Sequence, residues 1–394
     1  MRHLCRLLLA YGLTVAAAGC SSSTTPTETP SATPNVQPIV VNGGPTGNSF
    51  NGAFTSVTIC VPRSASCQTV DGVLVDTGST GLRVLRSAVS LSLPQQTDSG
   101  GNPIAECGEF QDGFTWGPVQ AADIQMAGER ASNIPIEVID GSSPGPIPSA
   151  CTSTGAPENT LAALGANGVL GVGLFRQDCG LACTFVGASN PGIYFTCPPS
   201  GCIVAAEALT RQLQNPVWMF ATDNNGVLID LPAVPNVGSL VASGSLIFGI
   251  GTQNDNALGS AKAIATDANG TITTVFNGQS YGSSFIDSGS NGLFFLDTAT
   301  TGLPLCPDTK DFYCPPTLMP FSATNRGVNG TSLAASFNVV NADALPAAFA
   351  AFNNVAGPNP GSFDWGLSFF FGRLVFTAIE GQSTPAGVGP YFAY

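Results

Sequence analysis

The length, composition and charge of the chain exclude several classes of protein. It has 394 residues, of which 43% are hydrophobic and 9% charged, with 47 Gly and 30 Pro. A chain of this length exceeds what one hydrophobic core serves, and its composition favours short strands and turns over a helical bundle. The net charge of −13, with Lys262 and Lys310 as the only lysines, excludes a basic surface for nucleic acid.

The N-terminal residues predict export and a lipid anchor. Arg2 and Arg6 precede an apolar run over residues 7–18, which is too short to span a bilayer and is followed by Gly19 and Cys20. This pattern resembles a bacterial lipobox, so we expect residues 1–19 to be a signal peptide and Cys20 to be lipidated. An ordinary signal peptide cleaved nearby is the alternative. Residues 20–47, rich in Ser, Thr and Pro, are predicted to be a tether. The protein is then expected in the bacterial cell envelope, at the periplasmic or surface face of the outer membrane.

The cysteine content predicts disulfides. Apart from Cys5 and Cys20 the chain has ten cysteines, an even number that in an exported protein argues for disulfide bonds. Cys60 with Cys67 and Cys306 with Cys314 would close short loops. The four cysteines in between that lie close together can pair in three ways or bind zinc, and the spacing leaves these choices open; they are Cys179, Cys183, Cys197 and Cys202.

The predicted elements are mostly strands. Residues 50–61 and 72–75 are apolar and β-branched and lead into Asp76, and residues 134–139 form a further candidate strand. Residues 205–213 have the composition of a helix. Residues 285–286 lead into Asp287, and residues 372–379 predict a late strand.

An internal repeat predicts two related halves. The sequence VDTGSTGL at 75–82 recurs 211 residues later as IDSGSNGL at 286–293, with five of eight positions identical. A second pair of similar segments follows, at 167–171 and 363–367. This spacing is far too long for a solenoid repeat and indicates a duplicated lobe. We therefore predict an all-β, bilobal protein with two barrel-like lobes, residues 48–214 and 215–394, around a central cleft.

The chemistry indicated by the repeat is that of paired carboxyl groups. The only histidine is His3, in the predicted leader, so a Ser-His-Asp triad and a histidine-ligated zinc are excluded from the mature chain. Two carboxyls held close together share one proton, so one can take a proton from water while the other donates one to a carbonyl oxygen. We predict that Asp76 and Asp287 form this pair. Their supporting loops would be Thr77, Gly78 and Ser79, and Ser288, Gly289 and Ser290, in which glycine permits close approach and a serine hydroxyl orients the carboxyl.

These motifs resemble those of the pepsin-like aspartic peptidases over residues 48–380. The resemblance implies a bilobal fold in which Asp76 and Asp287 are catalytic. The segments IDSGSNGLFF and FDWGL are similar to those of a family of uncharacterised bacterial lipoproteins close to the pepsins. Three features depart from the pepsins: Arg83 replaces an aromatic residue, residues 21–47 hold no basic pro-segment, and the flap region 107–119 has no tyrosine. Phe110 and Trp116 are the candidate flap residues, with packing inside the hairpin as the alternative.

The predicted function is therefore that of an aspartic endopeptidase that favours acid pH. It would act as a monomer on a peptide or protein substrate, without a cofactor or metal. Its attachment to the membrane would be only through the lipid at Cys20. Arg83 is expected to pair with a nearby carboxylate instead of holding substrate. The alternative function is a lipoprotein on the same scaffold that binds peptides, or serves in surface interactions, without catalysis.

Overall fold

The structure is a computed structural model that describes residues 34–394. Short strands are the main regular secondary structure in this part of the chain. The strands are β1 (Val36–Val41), β2 (Ala53–Cys60), β3 (Cys67–Asp76), β4 (Thr80–Leu85), β5 (Ile104–Glu109), β6 (Gly113–Met126), β7 (Glu129–Ile139), β8 (Ala156–Pro157), β9 (Gly168–Val172), β10 (Tyr194–Thr196), β11 (Ile203–Val204), β12 (Gly226–Leu231), β13 (Ala242–Phe248), β14 (Ala263–Ala265), β15 (Ile272–Phe276), β16 (Gln279–Ile286), β17 (Leu293–Leu296), β18 (Met319–Arg326), β19 (Ser332–Val339), β20 (Ala356–Gly357), β21 (Asn359–Trp365), β22 (Arg373–Ala378), β23 (Ser383–Thr384), β24 (Gly387–Val388) and β25 (Tyr391–Ala393).

The helices in this part of the chain are single turns. The α-helices are α1 (Ser149–Thr152), α2 (Leu161–Leu164) and α3 (Thr298–Thr301), and the 3₁₀ turns are Arg86–Ala88, Gly180–Thr184, Leu209–Arg211, Val217–Met219, Ala342–Ala344 and Leu367–Phe369. The all-β class predicted from the composition is confirmed, as are the strands predicted before Asp76 and Asp287 and over residues 134–139 and 372–379.

A closed barrel forms from strands of the first half. The strand order β6-β7-β4-β9-β3-β2 closes on itself because β2 also pairs with β6. Inward-facing residues such as Val57, Ile59, Val73 and Val84 are fully buried in the main core. Closure leaves this barrel without free edges between its strands, which makes β3 a rigid support for the loop that follows it.

The strands around the second aspartate repeat the arrangement around the first. In the first half β3 runs parallel to β9, and β4 runs antiparallel to β9. In the second half β16 runs parallel to β21, and β17 runs antiparallel to β21. Gly171 lies opposite Asp76, and a Cβ there would come within 2.6 Å of the Thr80 nitrogen. Gly366, the next residue after β21, is equally crowded, since its Cβ would lie 1.9 Å from the Gly292 oxygen.

Strand β1 corrects the predicted tether. It pairs antiparallel with β2 and with β13, and so joins strands of the two halves of the chain in one sheet. Ile39 and Val41 on this strand are buried in the core, which a solvated tether would not allow. The tether prediction is therefore wrong for residues 36–41, because Val36 and residues 39–41 are apolar and mostly β-branched, which favours a strand. The predicted signal peptide, Cys20 and the tether up to residue 33 lie outside the described residues.

The predicted helix over residues 205–213 is also wrong. Apart from the single 3₁₀ turn Leu209–Arg211, the segment is irregular. The N–H groups of Arg211 and Gln212 bond to Ala208 in the preceding turn. At the two ends of the segment the partner is distant: Ala205 donates to the Tyr194 carbonyl, and Leu213 to the Tyr194 hydroxyl. Tertiary hydrogen bonds here override a local preference worth only tenths of a kcal/mol per residue.

Five disulfides connect all ten cysteines of the described part. The predicted pairs Cys60–Cys67 and Cys306–Cys314 are confirmed. The clustered cysteines pair as Cys179–Cys183 and Cys197–Cys202, and the remaining bond joins Cys107 to Cys151. Sulfurs in disulfides are not thiolate ligands, so the zinc alternative for the cluster is wrong. Five disulfides indicate an oxidising compartment outside the cytoplasm. Within residues 34–394, no helix has the length and apolarity needed to cross a membrane.

Candidate active site

Two loops bring the predicted aspartates together. β3 ends at Asp76, and Asp287 follows directly after β16. The loops are tied by reciprocal hydrogen bonds: the Thr77 nitrogen donates to the Ser288 hydroxyl (3.1 Å), and the Ser288 nitrogen donates to the Thr77 hydroxyl (2.9 Å). The Ser288 hydroxyl in turn donates to the Val75 carbonyl (2.8 Å). Thr77 and Ser288 are both buried, so these bonds are shielded from water and fix one loop against the other.

Each carboxyl packs against the glycine of the opposite loop. A Cβ at Gly78 would lie 2.6 Å from the Asp287 Cγ, and one at Gly289 would lie 2.7 Å from the Asp76 Oδ1. Any side chain at these positions would therefore separate the loops. The two carboxyls are close neighbours, since a single Cβ at Gly289 would lie 2.7 Å from the Asp76 Oδ1 and 3.2 Å from the Asp287 Oδ1. The structure thus brings together the two aspartates and the loop residues that the repeat singled out.

The two carboxyls have different hydrogen-bond partners. The Asp76 Oδ1 accepts from the backbone nitrogens of Gly78 (2.7 Å) and Ser79 (3.2 Å). The Asp287 Oδ1 accepts from the Gly289 nitrogen (2.7 Å), while its Oδ2 accepts from the Ser290 hydroxyl (3.0 Å). The buried Ser79 hydroxyl has no partner. The predicted orienting hydroxyl is therefore present for Asp287 only, and a backbone N–H serves Asp76 in its place.

The electrostatics of the pair favour a shared proton. Desolvation raises the pKa of Asp287 well above its usual value, and the charges of Asp76 and Asp364 raise it further, whereas the Gly289 N–H bond opposes the shift. Two carboxyls in contact in a desolvated site cannot both ionise at little cost, so the pair holds one proton over a wide pH range. An acid and a base side by side can carry out general acid–base catalysis.

A third carboxyl, which the sequence prediction missed, joins the pair. Asp364 lies on β21, is 7% exposed, and its Oδ2 is 2.6 Å from the Ser290 hydroxyl oxygen. Desolvation, the largest cause, raises the pKa of Asp364 to about 7, and the charge of Asp76 adds to this, while the Ser290 hydrogen bond lowers it. The signal was present: residues 167–171 have Val169 at the matching position, so an aspartate among the apolar residues of 363–367 was out of place.

The two candidate flap residues have different environments. Phe110 lies at the turn between β5 and β6, and the Arg83 Cζ is 5.6 Å from its ring centroid. Trp116 is fully buried and packs edge-on against Phe195, with ring centroids 5.3 Å apart. The packing alternative therefore applies to Trp116, which does not lie at the hairpin tip. Phe110 keeps the place of the candidate flap residue.

Arg83 lies at the centre of a buried group that we call the Arg83 cluster, defined as Arg83, Glu106, Glu137, Asp178 and Tyr194. Its Nη2 is 2.5 Å from the Glu106 Oε1 and 3.6 Å from the Asp178 Oδ2, and its Nε is 3.6 Å from the Glu137 Oε2. The Tyr194 hydroxyl donates to Asp178 at 2.7 Å. The prediction that Arg83 pairs with a carboxylate is confirmed. The sequence signal for Glu137 was its place in the apolar strand 134–139.

One arginine cannot balance three buried carboxylates. Desolvation raises the pKa of both Glu137 and Asp178 well above normal, and the charge of Glu106 raises it further, while Arg83 lowers it. Burial also raises the pKa of Tyr194, which keeps its hydroxyl protonated as a donor. The cluster therefore holds carboxyl protons well above the pH at which an exposed carboxyl ionises.

One group of potential metal ligands occurs among residues 34–394, namely Cys306, Cys314 and Asp343. Both of its sulfurs are in a disulfide, so only a single carboxylate remains as a donor. The group does not fit the needs of a metal ion.

These pKa shifts predict that the folded protein is most stable at mildly acid pH. A carboxyl whose folded pKa is raised keeps its proton when the unfolded chain ionises, so stability falls as pH rises from about 4 towards the folded pKa. Asp364 alone accounts for a loss on the order of 4 kcal/mol by pH 8. Carboxyls with lowered pKa, such as Asp98 at about 2, reduce stability only as pH falls below about 4. Urea unfolding at pH 3, 4.5, 6 and 7.5 should show a maximum near 4.5; a rise in stability from 4.5 to 7.5 would contradict the assignment.

Comparisons with known proteins agree with this architecture. The crystal structure of an aspartic proteinase from Irpex lacteus matches with a TM-score of 0.54 at 14% sequence identity, over 91% of this chain and 96% of that chain. At this identity the match shows the fold, which is the predicted pepsin-like fold. No curated protein sequence matches the chain. The model of one family, described as "Protein of unknown function (DUF3443)", matches residues 31–394. The chain therefore belongs to the DUF3443 family.

Proposed function

We propose that the protein is an aspartic endopeptidase that hydrolyses peptide bonds with water held between Asp76 and Asp287. The two lobes, residues 48–214 and 215–394, each supply one aspartate. The ionised carboxyl takes a proton from the water, and the protonated carboxyl donates to the carbonyl oxygen of the peptide bond as the water oxygen attacks its carbon, which gives a gem-diol. The newly protonated carboxyl then donates to the peptide nitrogen as the C–N bond breaks. The other carboxyl takes a proton from a diol hydroxyl, so the pair returns to its starting charge. Phe110, at the tip of the β5–β6 hairpin, covers bound substrate. No covalent intermediate, metal or cofactor takes part.

The observation that carries this proposal is the close approach of the two carboxyls on loops that are tied to each other. The reciprocal bonds between Thr77 and Ser288 hold the loops in register, and the absence of a side chain at Gly78 and Gly289 lets each carboxyl approach the opposite loop. Bringing two acids into contact in a desolvated position costs folding free energy. Unfavourable charge of this kind is concentrated at functional sites, where the perturbed pKa values are used in catalysis.

The proposed setting is the bacterial cell envelope. Removal of residues 1–19 and lipidation of Cys20 would anchor a monomer at the outer membrane, on its periplasmic or surface face. The tether is then shorter than residues 20–47, since β1 begins at Val36. The substrate is a peptide or an unfolded protein of that compartment, and nucleic acid is not a ligand.

Cleavage of unfolded polypeptide by the detergent-solubilised full-length protein tests the proposal. A reduced, alkylated protein substrate incubated between pH 3 and 7 should be cut at internal bonds, as read by mass spectrometry. Pepstatin, which places a hydroxyl where the attacking water would lie, should block the cleavage. Saturable peptide binding without turnover would favour the peptide-binding alternative, and the absence of both binding and turnover would favour a surface interaction protein.

A further inference from the structure

The Ser290 hydroxyl contacts two carboxyls at once. Its oxygen lies 3.0 Å from the Asp287 Oδ2 and 2.6 Å from the Asp364 Oδ2. A hydroxyl carries one hydrogen, so it can donate to only one of these oxygens and must accept at the other contact. One of the two carboxyls is therefore protonated and donates to Ser290. If that carboxyl is Asp364, the site holds a proton beyond the one that Asp76 and Asp287 share.

The remaining contacts place this additional proton on Asp364. The Asp287 Oδ1 already accepts from the Gly289 nitrogen, and its Oδ2 is suited to accept from Ser290, so Asp287 has acceptor contacts on both oxygens. The Asp364 Oδ1 is buried and has no partner, which is the environment of a neutral carboxyl. The chain of bonds then runs from the Asp364 O–H to Ser290, and from the Ser290 O–H to Asp287.

We propose that Asp364 is a third carboxyl of the active site, linked to Asp287 through Ser290, and that it enables the pair to keep its shared proton towards neutral pH. This rests on the proposed peptidase function and adds the pH range of the same site. When Asp364 loses its proton at higher pH, its negative charge makes it less favourable for the Asp76–Asp287 pair to lose its shared proton as well. The charges of Asp76 and Asp364 act on Asp287, and the charge of Asp76 also acts on Asp364. An envelope enzyme would then remain active near neutral pH, where an isolated pair would have lost its proton.

The test is the Asp364→Asn variant, whose amide can still donate to Ser290 but never ionises. For the wild type and the variant, kcat/KM is measured on an unfolded peptide from pH 4 to pH 8. The ratio of kcat/KM at pH 7 to that at pH 4 should fall about tenfold in the variant. This fall corresponds to a shift of the alkaline limb of the pH profile by about one pH unit towards acid pH. Asp230→Asn, on an exposed strand position, is the matched control and should keep the wild-type ratio. Superimposable profiles for the wild type and Asp364→Asn would overturn the proposal.

A second readout does not need activity. The free energy of urea unfolding is compared between the wild type and Asp364→Asn at pH 4.5 and pH 8. Because the asparagine cannot ionise, the variant should gain stability over the wild type as pH rises, and Asp230→Asn should not. An equal pH dependence in the wild type and Asp364→Asn would also overturn the proposal. If no cleavage occurs but the stability difference appears, the third carboxyl stands and the peptidase function fails. Asp364→Leu, which lacks both the charge and the donor, gives the same comparison if the asparagine variant does not fold.

Discussion

Replacing either aspartate of the pair by asparagine should reduce peptide cleavage by about 10²- to 10⁴-fold, the range that general acid–base groups contribute. Asparagine matches aspartate in size, so Asp76→Asn and Asp287→Asn leave Gly78 and Gly289 in place. The amide, however, neither accepts a proton from water nor shares one with its neighbour. Both variants should lose kcat instead of raising KM, because the groups act on the reacting atoms and not on the rest of the substrate.

The same variants should remain folded, which separates lost chemistry from lost structure. Asp287 is held in a desolvated position beside two other acids. Asp287→Asn removes an ionisable group from this position, so its free energy of unfolding at pH 7.5 should equal or exceed that of the wild type. Exchange of stability for activity of this kind is common at catalytic sites.

The exposed carboxyl of Asp230 provides the control for these activity measurements. Asp230→Asn changes the same chemical group on β12, where the side chain faces solvent. It should cleave peptide at the wild-type rate. Wild-type cleavage by Asp76→Asn or Asp287→Asn would show that the turnover comes from elsewhere, and the pair would then be a structural feature of the fold.

Much of the site could be predicted because its residues lie within two short repeats. Asp76 and Asp287 each follow an apolar strand and precede a hydroxyl residue and a glycine. The structure has a strand before each of these aspartates and a loop after it. The duplication also predicted the contact between distant segments, because two similar loops on two similar halves are expected to face each other across a pseudo-twofold axis. Ser79 shows the limit of that reasoning: its hydroxyl does not repeat the role of Ser290, because the backbone N–H of Ser79 reaches Asp76 instead.

The parts that could not be predicted depend on contacts between distant segments. Asp364 reaches the pair only through the parallel pairing of β21 with β16, which no local pattern encodes. Glu106, Glu137 and Asp178 come from β5, β7 and the loop after β9, and the sequence places no two of them together. The failed helix at 205–213 has the same cause, because the tertiary partners of its N–H groups outweigh its composition.

Replacing Arg83 by methionine should destabilise the protein by about 3–5 kcal/mol at pH 7, the usual result of removing one partner from a buried ion pair. Methionine fills much of the same volume, so the loss arises from three carboxyls left without a cation. Arg86→Met is the matched control, since Arg86 lies three residues along the chain with an exposed side chain. Its effect should stay within about 0.5 kcal/mol. Urea unfolding of the two variants gives the comparison.

The pH dependence of this loss identifies its cause. Arg83 lowers the pKa of Glu137 and of Asp178, so without it both carboxyls take up protons at still higher pH. Protonation at acid pH removes the uncompensated charge, and the destabilisation by Arg83→Met should therefore be smaller at pH 4.5 than at pH 7. A packing defect alone would cost the same at both pH values. The Arg83 Cζ also lies 5.6 Å from the Phe110 ring centroid, so Arg83→Met removes a cation–π contact from the hairpin tip. At pH 7 the tip of Arg83→Met should therefore be cut more readily by limited proteolysis near residue 110 than the tip of Arg86→Met.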